Sequence, residues 1–239
     1  MPEGDALARA ANTLRPVLVG ETPSVATQRF RAERVDGREV LGVDAYGKHL
    51  FVDFGELKIH SHLGMVGAWR VDRPGGRPWL TLTTPAHTVT QHRGTTLELL
   101  TEARRRQLVG RLGPDILGDA FDAGRAIRRL REDDPTRPIG DALLNQRTVA
   151  GIGNMWKAEA CWAVALDPWR PAARVSDDEL HAVLTAARER MQAAVARPRG
   201  GHAVYRRNGR QCERCGTRIR VTGQGDDNRA TYWCPGCQT

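Results

Sequence analysis

Apolar side chains recur at helical spacing directly behind the first four residues of the chain. The repeat runs over residues 5–19, and Gly20 follows it at once. Spacing of three and four residues puts side chains on one face of a helix, and glycine commonly ends a helix. The pattern therefore predicts an amphipathic helix over residues 5–19. Its apolar positions are Leu7, Ala10, Ala11, Leu14 and Leu18.

From about residue 38 the pattern changes to short segments in which apolar and polar residues alternate between glycine and proline turns. Alternation is typical of strands with one buried face, and several such strands in succession indicate a β-sandwich or barrel-like domain. The segments are REVLGVDAYGKHLFVDFG, ELKIHSH, MVGAWRVD, PWLTLTTP, HTVTQHRG and TTLELLT.

A third pattern, rich in Ala, Leu and Arg, follows the stretch RLGPDILGD (111–119) and predicts helices up to residue 197. One of these helices is expected to end near Arg147, and the next is expected to begin with Asn154 as its N-cap. The turn between them contains Gly151 and Gly153. Free N–H groups at such a helix start suit a DNA phosphate, although a plain helical hairpin would also favour glycine here.

Four of the five cysteines lie in the last 28 residues of the chain. They form two C-x2-C pairs, and this spacing predicts a four-cysteine zinc site that closes when the two strands of a β-hairpin return. RIRV and ATYW are the predicted strands, and GQGDDN is the predicted turn between them. The expected ligands of one structural Zn²⁺ are Cys212, Cys215, Cys234 and Cys237. Cys161 falls among apolar residues and is expected in the core.

The net charge of the 239-residue chain is +8, and this suits a polyanionic partner such as nucleic acid. A basic balance could also serve solubility alone. No apolar run reaches the length of a membrane span, and the first residues do not have the order of a signal peptide. The expected location is therefore the cytoplasm, with association to the nucleoid through DNA.

The order of these features resembles the formamidopyrimidine-DNA glycosylase / endonuclease VIII family of base-excision repair enzymes. The resemblance extends over essentially the whole chain. It implies an α+β protein with an N-terminal catalytic helix and β-sandwich domain (1–112), a linker (113–119), a helix-two-turn-helix domain (120–204) and a zinc finger (205–239). The motifs that carry it are MPEG, YGKHL, HSHLGMVGAWRV, RLGPDIL, AGIGN and NRATYWCPGC.

The resemblance implies a bifunctional DNA glycosylase and AP lyase. After removal of Met1, the amine of Pro2 would attack C1′ of the damaged nucleotide and form a Schiff base, and β,δ-elimination would then cut the strand. Glu3 matches the family's acid. Lys48 and Arg229 match the family's lysine and zinc-finger arginine, which hold phosphates near the lesion, and Asn154 with Gly153 matches the hinge that does the same.

The segment HLGMVG (62–67) resembles the family's void-filling loop, which implies that Met65 and Val66 fill the hole left by the flipped nucleotide. The alternative for Met65 is an ordinary core methionine. The resemblance implies that the partner is damaged double-stranded DNA. The protein is expected to be a monomer and to have no membrane partner. The sequence does not identify repair-protein partners.

Several details favour the endonuclease VIII branch, which acts on oxidised pyrimidines. They are the PEG start, VYRRNGRQC, the CQT ending and the short run between Ala196 and Cys212. HLGM is closer to the branch that acts on oxidised purines, so specificity for formamidopyrimidine or 8-oxoguanine is one alternative. A non-catalytic zinc-ribbon protein that binds damaged DNA is another. Against the family pattern, Asp5 and Ala6 replace a proline and a glutamate, and we expect this to alter how the lesion or the sugar is held without stopping the Pro2 chemistry.

Overall fold

The computed structural model describes residues 2–73, 75–197 and 200–239. The chain divides into two compact units, Met1–Arg111 and Leu112–Thr239. In the described residues, no helix has both the length and the apolar character that crossing a membrane requires.

In its described residues, the first unit contains two α-helices and two four-stranded antiparallel sheets. The elements are α1 (Gly4–Leu18), β1 (Ser24–Thr27), β2 (Gly42–Tyr46), β3 (His49–Asp53), β4 (Leu57–His62), β5 (Ala68–Val71), β6 (Leu80–Thr83), β7 (Thr88–His92), β8 (Thr96–Thr101) and α2 (Glu102–Gly110). The strand orders of the two sheets are β1-β6-β7-β5 and β2-β3-β4-β8. The hydrophobic core is built from α1 and one face of each sheet.

The predicted first helix is present and begins one residue earlier than expected, because Glu3 is its N-cap. Four of the predicted apolar positions are almost fully buried, whereas Ala10 is only partly buried. Two elements were not predicted. Strand β1 is only four residues long, and α2 reads EARRRQLVG, with no apolar repeat. Its N-cap Thr101 accepts a hydrogen bond from the Arg104 N–H.

The second unit is helical and ends in a β-hairpin. Short 3₁₀ turns occur in both units, at Ala32–Arg34 in the first and Ala172–Arg174 in the second. The elements of the second unit are α3 (Ala123–Glu132), α4 (Ile139–Ala142), α5 (Asn154–Ala163), α6 (Asp177–Ala196), β9 (Arg220–Gln224) and β10 (Arg229–Trp233).

The prediction that a helix ends near Arg147 is wrong, because α4 ends at Ala142. A turn stabilised by amide side chains follows it. The Asn145 side-chain Oδ1 accepts from the Arg147 N–H, and the Gln146 side chain accepts from the Gly151 N–H and donates to the Leu144 and Ile152 carbonyls. These side chains replace the backbone bonds of a continued helix.

The C-terminal hairpin is present, but its strands differ from the prediction. The first strand begins at Arg220 and extends to Gln224, so that residues 225–228 make the turn. Asn228 has a positive φ of 48°, and Gly225 one of 69°. The broader prediction of an α+β protein, with an N-terminal helix and β-sandwich before a helical domain and a cysteine-bearing hairpin, is confirmed.

Helix α5 is connected to the segment before the hairpin by a buried carboxylate. Glu159 is 4% exposed, and its two oxygens accept hydrogen bonds from the backbone N–H groups of Ala203, Val204 and Tyr205 at 2.8–2.9 Å. Each of these donors would otherwise be poorly solvated, and an unsatisfied buried polar group costs about 1–3 kcal/mol.

We expect Glu159→Ala to lower the free energy of unfolding by more than about 3 kcal/mol, because three backbone donors lose their acceptor. Glu159→Gln, which keeps one acceptor oxygen, should lose less. Denaturant unfolding monitored by tryptophan fluorescence measures both. Glu189→Ala on the exposed side of α6 is the control, and equal losses in the Glu159→Ala and Glu189→Ala variants would contradict this role.

Candidate functional site

The start of the chain combines a partly buried proline with a buried carboxylate. Pro2 lines a cavity of about 330 Å³ in the first unit, together with side chains of α1 and the segment 63–71. Glu3 is 1% exposed and has extended backbone dihedrals as the N-cap of α1, and its carbonyl accepts from the Ala6 N–H at 2.9 Å. Met1 lies outside the described residues, so its removal stays a prediction.

The carboxylate at residue 5 has its own partner. Asp5 is 4% exposed and accepts from Arg9 Nη1 at 2.6 Å, one helical turn later. Arg9 also lines the cavity at Pro2. Asp5 therefore contributes a paired charge beside the cavity.

Lys48 lies in the two-residue turn between β2 and β3, after Gly47, whose φ is +56°. It is partly buried, and its ammonium lies near enough to the rings of His49 and His62 to lower the pKa of both histidines. Strand β3 begins directly after this turn, so the strand positions the backbone of Lys48.

A chain of hydrogen-bonded side chains extends from this turn across one face of β3, β4 and β8. His60 Nδ1 lies 2.9 Å from Glu98 Oε1, and His60 Nε2 lies 2.9 Å from His49 Nδ1. The carboxylate can only accept, so His60 donates through Nδ1 and accepts through Nε2 from His49. The rings of His49 and His60 stack at 5.1 Å. Sequence analysis did not identify this array, although HSH on an alternating strand places His60 and His62 on one face.

These histidines are held neutral. Burial lowers the pKa of His49 to about 3, and the charges of His60, His62 and Lys48 act in the same direction. Burial also lowers the pKa of His60 against the opposing effect of Glu98. The array therefore adds no positive charge beside Lys48 at neutral pH.

The loop between β4 and β5 projects two apolar side chains into solvent. Met65 is 71% exposed and Val66 is 63% exposed, so Met65 is not a core residue. The Gly67 N–H donates to the Leu63 carbonyl at 2.8 Å, and a Cβ on Gly67 would lie 2.5 Å from that oxygen. Only glycine permits this closure, which presents residues 65 and 66 at the tip of the loop.

In the second unit, Asn154 is the first residue of α5 rather than its N-cap, which is Gly153. Asn154 Nδ2 donates to the Ala230 carbonyl on β10 at 2.7 Å, so the side chain connects the helix start to the hairpin. Its Oδ1 is buried and makes no hydrogen bond within the described residues. The expectation of an N-cap was wrong because residue 153 already has the extended backbone of a capping position.

Two further side chains hold the hairpin on α5. Lys157 is fully buried, and its Nζ donates to Thr231 Oγ1 at 2.6 Å. The Thr231 hydroxyl lies 3.0 Å from Gln224 Oε1, and the Gln224 amide donates to the Pro168 carbonyl. Sequence analysis did not assign a role to Lys157. Its only signal was a lysine in a helix whose other residues are mostly apolar.

Arg229 begins β10 at the exposed end of the hairpin. Its guanidinium donates through Nε and Nη2 to Asp227 Oδ2, at 3.0 and 2.7 Å, and its side chain is 42% exposed. It lines a cavity of about 430 Å³ with Asp133, Asp141 and Arg147, all of them residues of the second unit. The Asp227 carboxylate therefore accepts from the two guanidinium N–H groups that would otherwise be available to a phosphate.

The four C-terminal cysteines converge at the other end of the hairpin. Their sulfur atoms all lie within 4.8 Å of one another. The Trp162 indole donates to Cys212 Sγ at 3.3 Å. Burial raises the pKa of Cys237 to about 12, and the neighbouring sulfurs act in the same direction. Thiolates this close together repel one another, and a cation between the sulfurs would offset that repulsion. The donor set therefore fits a metal ion with four tetrahedral thiolate ligands.

Family models match two segments that together span most of residues 1–205. Residues 1–108 match the model described as "Formamidopyrimidine-DNA glycosylase N-terminal domain", and residues 112–205 match "Formamidopyrimidine-DNA glycosylase H2TH domain".

Curated relatives are similar over the full length. The chain is 40% identical over 261 residues to a probable endonuclease 8 2 of Streptomyces coelicolor, covering 100% of this chain and 94% of that one. It is 36% identical over 253 residues to the DNA-(apurinic or apyrimidinic site) lyase Nei2 of Mycolicibacterium smegmatis, covering 100% and 99%. The crystal structure of the MutM (Fpg) protein of Thermus thermophilus aligns with a TM-score of 0.86 and 30% identity, covering 99% and 98%.

The neutral histidine array generates a pH prediction. His49 is neutral in the folded protein down to about pH 3, whereas an unfolded histidine takes up a proton near pH 6.5. The unfolded state therefore binds more protons in this window, and folding stability falls as the pH drops from 6.5 towards 3. One such proton changes the free energy of unfolding by up to about 1.4 kcal/mol per pH unit.

We expect His49→Phe to flatten the dependence of the unfolding free energy on pH between 6.5 and 4, measured by denaturant titration at each pH. His181→Phe, which replaces an exposed histidine of α6, is the control. An unchanged slope in the His49→Phe variant would show that His49 does not carry this linkage.

Proposed function

Because the chain belongs to the formamidopyrimidine-DNA glycosylase family, we propose that it is a bifunctional DNA glycosylase and AP lyase of base-excision repair. Its substrate is damaged double-stranded DNA in the cytoplasm, at the nucleoid. The observation that supports this most directly is the start of the chain, where Pro2 lines an open cavity and Glu3 is buried at the beginning of α1. An amine and an acid side by side are what the glycosylase chemistry requires.

In the proposed mechanism, removal of Met1 frees the secondary amine of Pro2. Its lone pair attacks C1′ of the damaged nucleotide, and the base leaves with the electron pair of the glycosidic bond and takes up the proton that the Pro2 nitrogen loses. Glu3 protonates O4′ as the sugar ring opens, which leaves an iminium between Pro2 and C1′. The positive end of the α1 dipole disfavours protonation of the amine and so keeps it nucleophilic.

The iminium acidifies the sugar protons next to C1′, so that β-elimination releases the 3′ phosphate and δ-elimination releases the 5′ phosphate. Glu3 is the group placed to move these protons. Lys48 binds a phosphate beside the lesion. The imidazoles of His49 and His62 around it are neutral, so the positive charge that attracts the phosphate there is that of Lys48. Asn154, Gly153 and Arg229 bind further phosphates from the second unit.

The flipped nucleotide leaves a hole in the stack, and Met65 with Val66 fills it. Both side chains are exposed at a loop tip that glycine closes, which suits an apolar wedge between base steps. Unstacking costs a few kcal/mol, and less for a damaged base.

The four clustered cysteines would hold one Zn²⁺. With four thiolate ligands the ion has no open position, so its contribution is to fold the hairpin. Hydrogen bonds from Asn154 and Lys157 hold Ala230 and Thr231 of the hairpin against α5. Arg229 is left at the exposed end of the hairpin, where it can contact DNA.

Oxidised pyrimidines are the proposed lesions. The curated relatives described above carry the names endonuclease 8 and Nei2, and the run between Ala196 and Cys212 is short. A glycosylase for oxidised purines is the second candidate, favoured by the motif HLGM in the loop at residues 62–65. Excision rates on duplexes that each carry one lesion distinguish the two.

The covalent step is tested by borohydride trapping. We expect Met-processed wild-type protein to give a stable adduct with abasic-site duplex DNA, because borohydride reduces the iminium to an amine. An added residue before Pro2 should abolish the adduct, since the nitrogen is then an amide, while binding to DNA persists. Gel electrophoresis and mass spectrometry detect the adduct. Binding without any adduct in the processed wild type would favour a non-catalytic damage sensor.

Arg229→Ala should weaken binding to all lesion duplexes alike and reduce the slope of log K against log salt by about one unit, because one phosphate contact is lost. Asp227→Asn should have the opposite effect on affinity, since the carboxylate competes with phosphate for the guanidinium. Fluorescence anisotropy at several salt concentrations measures both. A loss confined to one lesion type would contradict the phosphate role of Arg229.

A further inference from the structure

The sheet β1-β6-β7-β5 has a polar outer face that the chemistry described above does not use. Cross-strand pairing places Ala26, Thr81, Thr90 and Arg70 in one row across the four strands. The neighbouring row of Val25, Leu82, Val89 and Val71 points to the core. The outer row therefore belongs to the solvent side of the sheet, where it contributes to a groove of about 1210 Å³.

Positive charge is concentrated along this groove. Its lining includes Arg29, Arg70, Arg77 and Arg93, all of them exposed, and His92. None of its described lining residues is an aspartate or a glutamate. The four arginines are also absent from the ion pairs found among the described residues, whereas Arg9, Arg131, Arg137 and Arg170 each have a carboxylate partner.

One of these arginines is held in place before any ligand binds. The Arg29 guanidinium carbon lies 3.6 Å from the centroid of the Trp79 ring, so the two planes are in contact. The Trp79 carbonyl accepts from Thr27 Oγ1 at 2.6 Å, which fixes this strand end to β1. A stacked guanidinium keeps its edge N–H groups free for a phosphate, and less side-chain entropy is lost when it binds.

The groove is continuous with the proposed wedge, because Val66 is one of its lining residues. We propose that the groove binds the sugar–phosphate backbone of the undamaged DNA strand. The inference rests on the proposed function: a wedge that fills the hole of a flipped nucleotide faces the base that has lost its partner, and that base belongs to the undamaged strand. Guanidinium groups and threonine hydroxyls are common donors to phosphate and sugar oxygens.

The test uses the full, Met-processed protein and a duplex with a stable abasic-site analogue. We expect Arg29→Ala/Arg77→Ala to reduce the slope of log K against log salt by about two units, because each phosphate contact contributes about 0.9. The matched control is Arg38→Ala/Arg104→Ala, which removes the same charge from exposed positions of the same unit outside the groove. The control should change the slope by less than about half a unit.

Neutral methylphosphonate linkages identify the strand. Placed in the undamaged strand, they should reduce the slope for the wild type and have little further effect in Arg29→Ala/Arg77→Ala. A wild-type slope in the groove variant would overturn the proposal. It would also be overturned if neutral linkages in the damaged strand, and not in the undamaged one, removed the difference between the groove variant and the wild type.

Borohydride trapping separates this inference from the proposed function. At saturating protein, Arg29→Ala/Arg77→Ala should trap abasic-site DNA at the wild-type rate, because its substitutions lie outside the residues that act on the sugar. A wild-type protein that forms no adduct would reject the proposed chemistry. Normal trapping together with a wild-type salt slope in the variant would reject the groove alone.

Discussion

The fully buried ammonium of Lys157 constrains the second unit. A charge removed from water must be solvated by protein groups, and here the hydroxyl of Thr231 is one of them, followed by Gln224 and the Pro168 carbonyl. The constraint fixes the register between α5 and β10. Asn154 then meets the Ala230 carbonyl, and Arg229 comes to the exposed end of the hairpin.

In the first unit, too, hydrogen-bonded polar side chains, here histidines, position a cationic residue. Glu98 fixes the tautomer of His60, and His60 in turn fixes His49, which directly follows Lys48 in the chain. Burial keeps the rings neutral, so the array orients the turn without adding charge to it. In each unit a cationic side chain proposed to bind phosphate is therefore placed by a network of hydrogen-bonded polar side chains, and packing of apolar side chains alone would not specify its orientation.

Periodicity predicted those elements whose stability comes from one apolar face. Helix α1 was predicted within one residue at each end, since Leu7, Leu14 and Leu18 are almost fully buried. Helix α2 was not predicted because it has no buried residue and depends on the Thr101 cap and on charged neighbours such as the Arg105–Glu102 pair. The end of α4 was misplaced because Asn145 and Gln146 replace helical hydrogen bonds with side-chain bonds, an outcome invisible to an apolar pattern.

By itself, the sequence determined which chemical groups are available: an amine-forming Pro2 beside Glu3, paired cysteines, a glycine-closed loop and a large excess of arginine. These are local properties, set by residue type and by spacings of a few positions. Only the tertiary structure decided that Met65 is exposed, that Arg229 is paired with Asp227, that His60 connects Glu98 to His49, and that four unpaired arginines border one groove. The physical reason is that burial, charge pairing and tautomer depend on neighbours far apart in the chain, which folding alone brings together.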